Sequence, residues 1–233
     1  MRRGSVFSAD FMHRAERSTS LRGACVLLAA ACLAPLLGGC ADALPPSMTR
    51  TVVLAGPQGN DASVVFVRPE SSCDKGDYSI VVDDHGRFVG NVAPGTQVAI
   101  PVKPGTHTFY AWSSLDLRVE REPSFNSVAA ARVNAVASQT AYVTLTVSRP
   151  HFECFDWAWV EMTTRDLLST DLQTWIHTTR PVVADRAAGQ AALNARPALL
   201  QTDLELGQAK LQRLDDLAAR EERRQALAAE VAP

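Results

Sequence analysis

The chain has 233 residues, 46% of them hydrophobic and 21% charged, with 23 basic against 25 acidic side chains. That composition fits one ordinary domain with extensions, or two small ones, and excludes collagen-like and compositionally disordered chains. Only three of the basic residues are lysines (Lys75, Lys103 and Lys210), so no lysine-rich nucleic-acid footprint is present and no nucleic-acid partner is expected.

Residues 1–23 carry five arginines against two acids, and residues 24–37 then run without a charge. A basic segment followed by an apolar one is the layout of a secretory signal. Fourteen helical residues span about 21 Å, short of the ~30 Å hydrocarbon core, and Pro35 interrupts them. A permanent membrane span is therefore not expected. The apolar run exits into Leu37-Gly38-Gly39-Cys40, which resembles the lipobox of bacterial lipoproteins. The resemblance implies a diacylglyceryl thioether on Cys40, cleavage before it and acylation, as with palmitate, of the new amino group. With Ala41 rather than Asp next in the chain, it also implies the periplasmic face of the outer membrane. Small residues at 38 and 39 let the backbone enter a peptidase cleft, and only a thiol forms the thioether. One acyl chain binds marginally, whereas two or more anchor stably. Met12 gives a more usual signal length than Met1, and either can be the start.

Cleavage leaves 194 residues with 18 basic and 23 acidic side chains, a net charge of -5. Such a surface does not bind anionic glycans or lipids by bulk charge. Cys25 and Cys32 leave with the signal and Cys40 is the lipid site, which leaves Cys73 and Cys154 in an oxidising compartment. Two thiols admit one pairing. A bridge would close a loop of about eighty residues, contributing on the order of 4 kcal/mol in the chain-entropy model. Two unpaired thiols are the alternative.

Residues 40–60 hold Pro45, Pro46 and Pro57 with little periodicity and read as a lipidated tether. From residue 61 the period is two. An apolar run at 62–67 is followed by alternation at Tyr78, Ile80 and Val82, a hairpin signal at Asp84-His85-Gly86, and another strand over 87–92. Val-x-Pro-Gly-Thr then occurs twice, at 92–96 and 102–106, where Pro and Gly suit the two central places of a type II turn. Alternation continues at Val98, Ile100 and Val102 and at His107, Phe109 and Ala111. A polar stretch over 113–126 interrupts before strands resume at 128–136 and 140–147. Seven strands at this spacing favour a small antiparallel β-sandwich over a barrel.

The runs Val64-Val65-Phe66-Val67-Arg68-Pro69, Tyr78-Ser79-Ile80-Val81-Val82-Asp83, Phe88-Val89-Gly90, Val102-Lys103-Pro104-Gly105-Thr106-His107-Thr108-Phe109 and Thr140-Ala141-Tyr142-Val143 resemble an uncharacterised-domain family of small bacterial lipoproteins, itself similar to PEGA-type surface modules. The resemblance covers about residues 61–148 and implies a transthyretin- or prealbumin-like sandwich in the cell envelope. Its motifs are turn and core residues, which specify a fold and no chemistry. The insertion at 113–126, and Ala137-Ser138 where such modules tend to carry a glycine, depart from the pattern.

Residues 152–162 place Phe155, Trp157, Trp159 and Glu161 on one side of an extended chain and Cys154, Asp156, Ala158 and Val160 on the other. The bland reading is a last strand whose aromatics close the core. The sharper one is an exposed pair, Trp157 and Trp159, that stacks on sugar rings or a partner. After residue 163 the pattern turns helical, with Leu167, Leu168, Leu172 and Trp175 at i, i+4, i+8 spacing and Pro181 and Pro197 as punctuation. From residue 198 the chain is rich in Ala, Leu, Gln, Glu and Arg, with Leu200, Leu204, Leu211, Leu214 and Ala218 forming a stripe that Gly207 and Glu221 break. Such a helix docks on its own domain or a partner, or stays a solvated tail.

The mature chain has no G-x-S-x-G, H-E-x-x-H, Walker A or dinucleotide fingerprint. Asp83, Asp84 and His85 are the nearest polar cluster, and turn-forming Asp explains them without a metal. The sequence thus divides into a signal peptide (1–39), a lipidated tether (40–60), a β-sandwich domain (61–162) and a helical C-terminal region (163–233). The expectation is an outer-membrane lipoprotein without enzymatic activity, cofactor or metal. It is held to the membrane by its lipid, and its C-terminal helix is offered to another envelope protein. On this reading, removing 198–233 leaves the sandwich folded. The alternative is a periplasmic enzyme or a small-ligand or glycan binder whose site lies between the 113–126 insertion and Trp157 and Trp159.

Overall fold

Ten strands among the described residues are arranged in two sheets. A computed structural model describes residues 44–70, 77–114, 124–148 and 159–231, with side chains as far as residue 226. The chain divides into two units, Met1–Ala43 and Leu44–Pro233, and the account below concerns the second. In chain order its elements are β1 (Met48–Arg50), β2 (Ala62–Arg68), β3 (Ser79–Asp83), β4 (Phe88–Val92), β5 (Thr96–Val102), β6 (Gly105–Ser113), β7 (Val128–Ala135), β8 (Thr140–Ser148), β9 (Trp159–Arg165), α1 (Thr170–Thr178), β10 (Arg180–Ala184), α2 (Arg186–Asn194) and α3 (Pro197–Val231).

One sheet has the order β1-β10-β5-β2-β8-β9 and the other β4-β3-β6-β7. The arrangement is sandwich-like, with a C-terminal helix added. Pairing is antiparallel except for β2 with β8 and β10 with β5. Between the sheets lies the main core, built from inward residues at alternate positions: Val64 and Phe66 on β2, Val81 on β3, Phe109 and Ala111 on β6, Val143 and Leu145 on β8. Phe66 and Phe109 meet edge to face, with ring centroids 5.0 Å apart.

Both outer faces are partly covered. Every residue of β2 is buried, because Val65 and Val67 pack under Leu172, Trp175 and Ile176 of α1 while their neighbours fill the main core. This two-sided burial is why the segment reads as a continuous apolar run. On the other sheet, Ile80, Val82, Tyr110, Trp112 and Val128 face outward and are covered by Leu193 of α2 and by Leu200, Leu204 and Leu211 of α3. The helical stripe is therefore used within the chain's own domain. Gly207, read as a break in that stripe, is its closest approach, since a Cβ there would lie 2.4 Å from Tyr110 Cδ1.

These contacts correct three expectations. The stretch 40–60 is not all tether: Leu44 and Met48 pack into the main core, and β1 pairs with β10. Residues after 163 are not all helical, since Val182 of β10 fills the core between β1 and β5. Pro181 is tolerated there as the second residue of a short strand joining two helices. Finally, the first part of α3 packs on apolar residues of the four-stranded sheet, so that part of the helix is not left free for a partner.

The local chemistry of the turns and caps follows the sequence. Thr96 N–H donates to Ala93 O at 3.1 Å around Pro94 and Gly95, and Gly95 has φ +69°. In the second repeat Gly105, at φ 137°, opens β6 instead. Ser169 caps α1 and Asp185 caps α2 through side-chain oxygens that accept backbone N–H groups. Gln97 Nε2 donates to Ile176 O and Thr179 O, satisfying carbonyls at the end of α1.

Candidate functional site

One end of the domain gathers most of the polar chemistry. β2 and β8 run parallel, with Val67 opposite Thr144, so both finish at that end. The start of β3 and the finish of β6 lie there too, because Ser79 pairs with Ser113 and Arg68 reaches Ser79. Hence the connections β2–β3, β6–β7 and β8–β9 all leave from one end. The foot of the insertion meets β9 there, where Val160 N–H donates to Asn126 O at 3.0 Å.

At this end Arg68 and Asp77 are buried, each about 1% exposed at the side chain. Arg68 Nη1 donates to Ser79 Oγ at 3.1 Å and Val92 O at 3.2 Å, and Nη2 lies 3.6 Å from Asp77 Oδ2. Asp77 Oδ1 accepts from Ser113 Oγ at 3.0 Å and Ser114 Oγ at 2.9 Å. A buried charge pair persists only when its remaining polar atoms are met, and these hydroxyls and the carbonyl contribute to that. The group ties the ends of β2, β3, β4 and β6 together across the two sheets. Both serine hydroxyls are buried and already donate to the carboxylate. The geometry is that of a clamp.

Beside it, α3 reaches over the same end. Lys210 Nζ donates to Val128 O at 2.7 Å and Val160 O at 3.4 Å, joining the helix to the first residues of β7 and β9. Its ammonium and the Arg213 guanidinium both lie over the Phe125 ring, 5.7 and 5.5 Å from the centroid. Burial lowers the Lys210 pKa from its ordinary value, and the Glu161 carboxylate opposes that. Burial likewise raises the Tyr110 hydroxyl pKa, with Asp84 adding to the rise and Arg132 opposing it.

Of the residues singled out in the sequence, Cys40, Cys73, Cys154 and Trp157 lie outside the described residues, as do the signal peptide and residues 115–123 of the insertion. Trp159 is 42% exposed while Val160 is fully buried, so the expectation that this aromatic face closes the core is corrected at Trp159: the opposite face points inward. Asp83 and His85 form a turn. Asp83 Oδ1 accepts from the backbone N–H of His85 and Arg87, and Gly86 takes φ +71°. No group of three or more metal-ligating side chains occurs among the described residues. A cavity of about 20 Å³, room for one water molecule, lies under α3 between Trp112, Leu193, Arg196, Leu200 and Asp203.

Arg68 and Asp77 escaped the sequence reading as a site because neither belongs to a catalytic spacing. The available signal was an arginine ending an otherwise apolar strand, where a charge must find a partner or stay in water. No described helix is long and apolar enough to cross a membrane. In comparisons with known proteins, no family model and no curated protein matches the chain.

Proposed function

We propose that the chain is a periplasmic lipoprotein, anchored to the outer membrane through lipid on Cys40, with a non-catalytic structural or interaction role and a prealbumin-like sandwich as its body. The carrying observation is the lipobox-like Leu37-Gly38-Gly39-Cys40 at the end of an uncharged run, with Leu44, the first described residue, already packed against the core. Every residue of the described core follows Cys40 in the sequence. The buried Arg68–Asp77 clamp and the lock of Lys210 on β7 and β9 spend the polar groups of the best candidate site on holding the body together. That supports a scaffold. The part of α3 beyond Asp215, whose described side chains are mostly exposed, is the surface offered to another envelope protein.

The test is metabolic labelling with palmitate in cells expressing the full chain or Cys40→Ser, followed by membrane fractionation. Label on the wild-type protein in the outer membrane, with an unlabelled precursor for Cys40→Ser, is the expected result. Equal label on both overturns the proposal.

A further inference from the structure

The β1 edge comes with an occupant that the chain itself dictates. We infer that the domain lies with its β1 edge against the lipid bilayer, touching it through Val52, Val53 and Val183. This rests on the lipidation of Cys40 proposed above.

The first argument is length. Leu44, the first described residue, is packed against the core, and only Ala41, Asp42 and Ala43 separate it from Cys40. A fully extended chain covers at most ~3.6 Å per residue, which limits the leash to roughly 14 Å. The polar headgroup layer on each side of a bilayer takes up about half of that. A domain tied so closely cannot stand off the surface, and the face nearest the leash meets the headgroups.

The second argument is what that face carries. Pro46 O accepts from Asn91 Nδ2, and Met48–Arg50 forms the outermost strand of its sheet, so the chain enters along this edge. Val52, Val53 and Val183 are 94%, 72% and 52% exposed. Exposed valines suit a shallow contact with the boundary between headgroups and acyl chains, a contact that needs no net positive charge. Thr49 and Val183 are directly paired, which places Val183 on the same edge as the segment that follows β1.

A consequence concerns α3. It passes from Gly86 beside β4, over Tyr110 of β6, to Val128 and Arg132 of β7. β4 adjoins the β1 edge, since Asn91 N–H lies 3.3 Å from Met48 Sδ. The helix therefore leads away from the bilayer side, and residues 216–231 extend it by about 24 Å.

The experiment uses the full acylated protein in vesicles of phosphatidylethanolamine and phosphatidylglycerol that contain a quencher-bearing phospholipid. A fluorescent amino acid replaces Val53 in one sample and Leu217 of α3 in another, both exposed positions. Quenching at 53 about twofold or more above that at 217 is the expected result. Equal quenching at the two sites in protein that carries palmitate and floats with the vesicles overturns the inference and leaves the lipoprotein reading intact. Protein that carries no palmitate and does not float overturns both.

Discussion

Two glycines define the tightest contacts between helices and sheet. A Cβ on Gly189 would sit 2.1 Å from the Phe88 ring, and one on Gly207 would sit 2.4 Å from Tyr110. Neither glycine has a positive φ, so the requirement is space for an aromatic ring. Alanine in a helix interior is favoured over glycine by about 1 kcal/mol, which pulls the other way. Overpacking costs ~1–3 kcal/mol, and rings buried under a helix cannot swing aside. Gly189→Ala and Gly207→Ala are each expected to lower stability by about 1–2 kcal/mol in urea unfolding. Gly56→Ala, with nothing within 4 Å, is expected to leave it within about 0.5 kcal/mol. Unchanged midpoints for both helix variants would show that α2 and α3 are held more loosely than the contacts indicate.

At the scale of the element, α3 works as two pieces. Its first half covers Ile80, Val82, Tyr110, Trp112 and Val128, and its last described tie to the sheet is Arg132 to Asp215 at 2.6 Å. Burying one large apolar side chain contributes about 1.5–3 kcal/mol, so uncovering several of them removes most of a typical 5–15 kcal/mol stability. Removal of 198–233 is expected to abolish cooperative thermal unfolding, whereas removal of 219–233 shifts the midpoint by only a few degrees, about what one lost kcal/mol causes. Circular dichroism melts of the two truncated proteins separate these outcomes. The stripe Leu200, Leu204 and Leu211 was readable because its period is helical. Its target was not, since Tyr78, Ile80 and Val82 look the same in sequence whether they face a core, a helix or water. Val64–Val67 was legible as strand, and its lack of alternation is what burial on two faces produces. β10 stayed hidden because five residues between two helices give too little period to detect, and its pairing with β5 depends on a partner some eighty residues earlier. For the same reason the clamp was invisible: Arg68, Asp77 and Ser113 meet only after the sheets form.

For the whole molecule, topology bears on the one pairing that the thiol count permits. β2 and β8 are adjacent and parallel, so the segment after Arg68, which contains Cys73, and the segment after Ser148, which contains Cys154, depart from neighbouring strands at one end. Parallel strands place two distant stretches of sequence side by side, which antiparallel neighbours joined by a hairpin do not. A bridge there would fasten the β2–β3 connection, which passes from one sheet to the other, to the β8–β9 connection within the six-stranded sheet. It would close a loop of about eighty residues, worth on the order of 4 kcal/mol through the unfolded chain. The periplasm proposed for this protein is oxidising enough to form it. Alkylation of the mature protein under denaturing conditions without reductant is expected to leave Cys73 and Cys154 unmodified, and prior reduction to expose both. Cys73→Ser and Cys154→Ser should then each lower the unfolding midpoint by the same amount, and the double variant by no more than either, because one bond is lost in all three. Full alkylation of both thiols without reductant, or additive losses in the double variant, would assign the two cysteines separate roles.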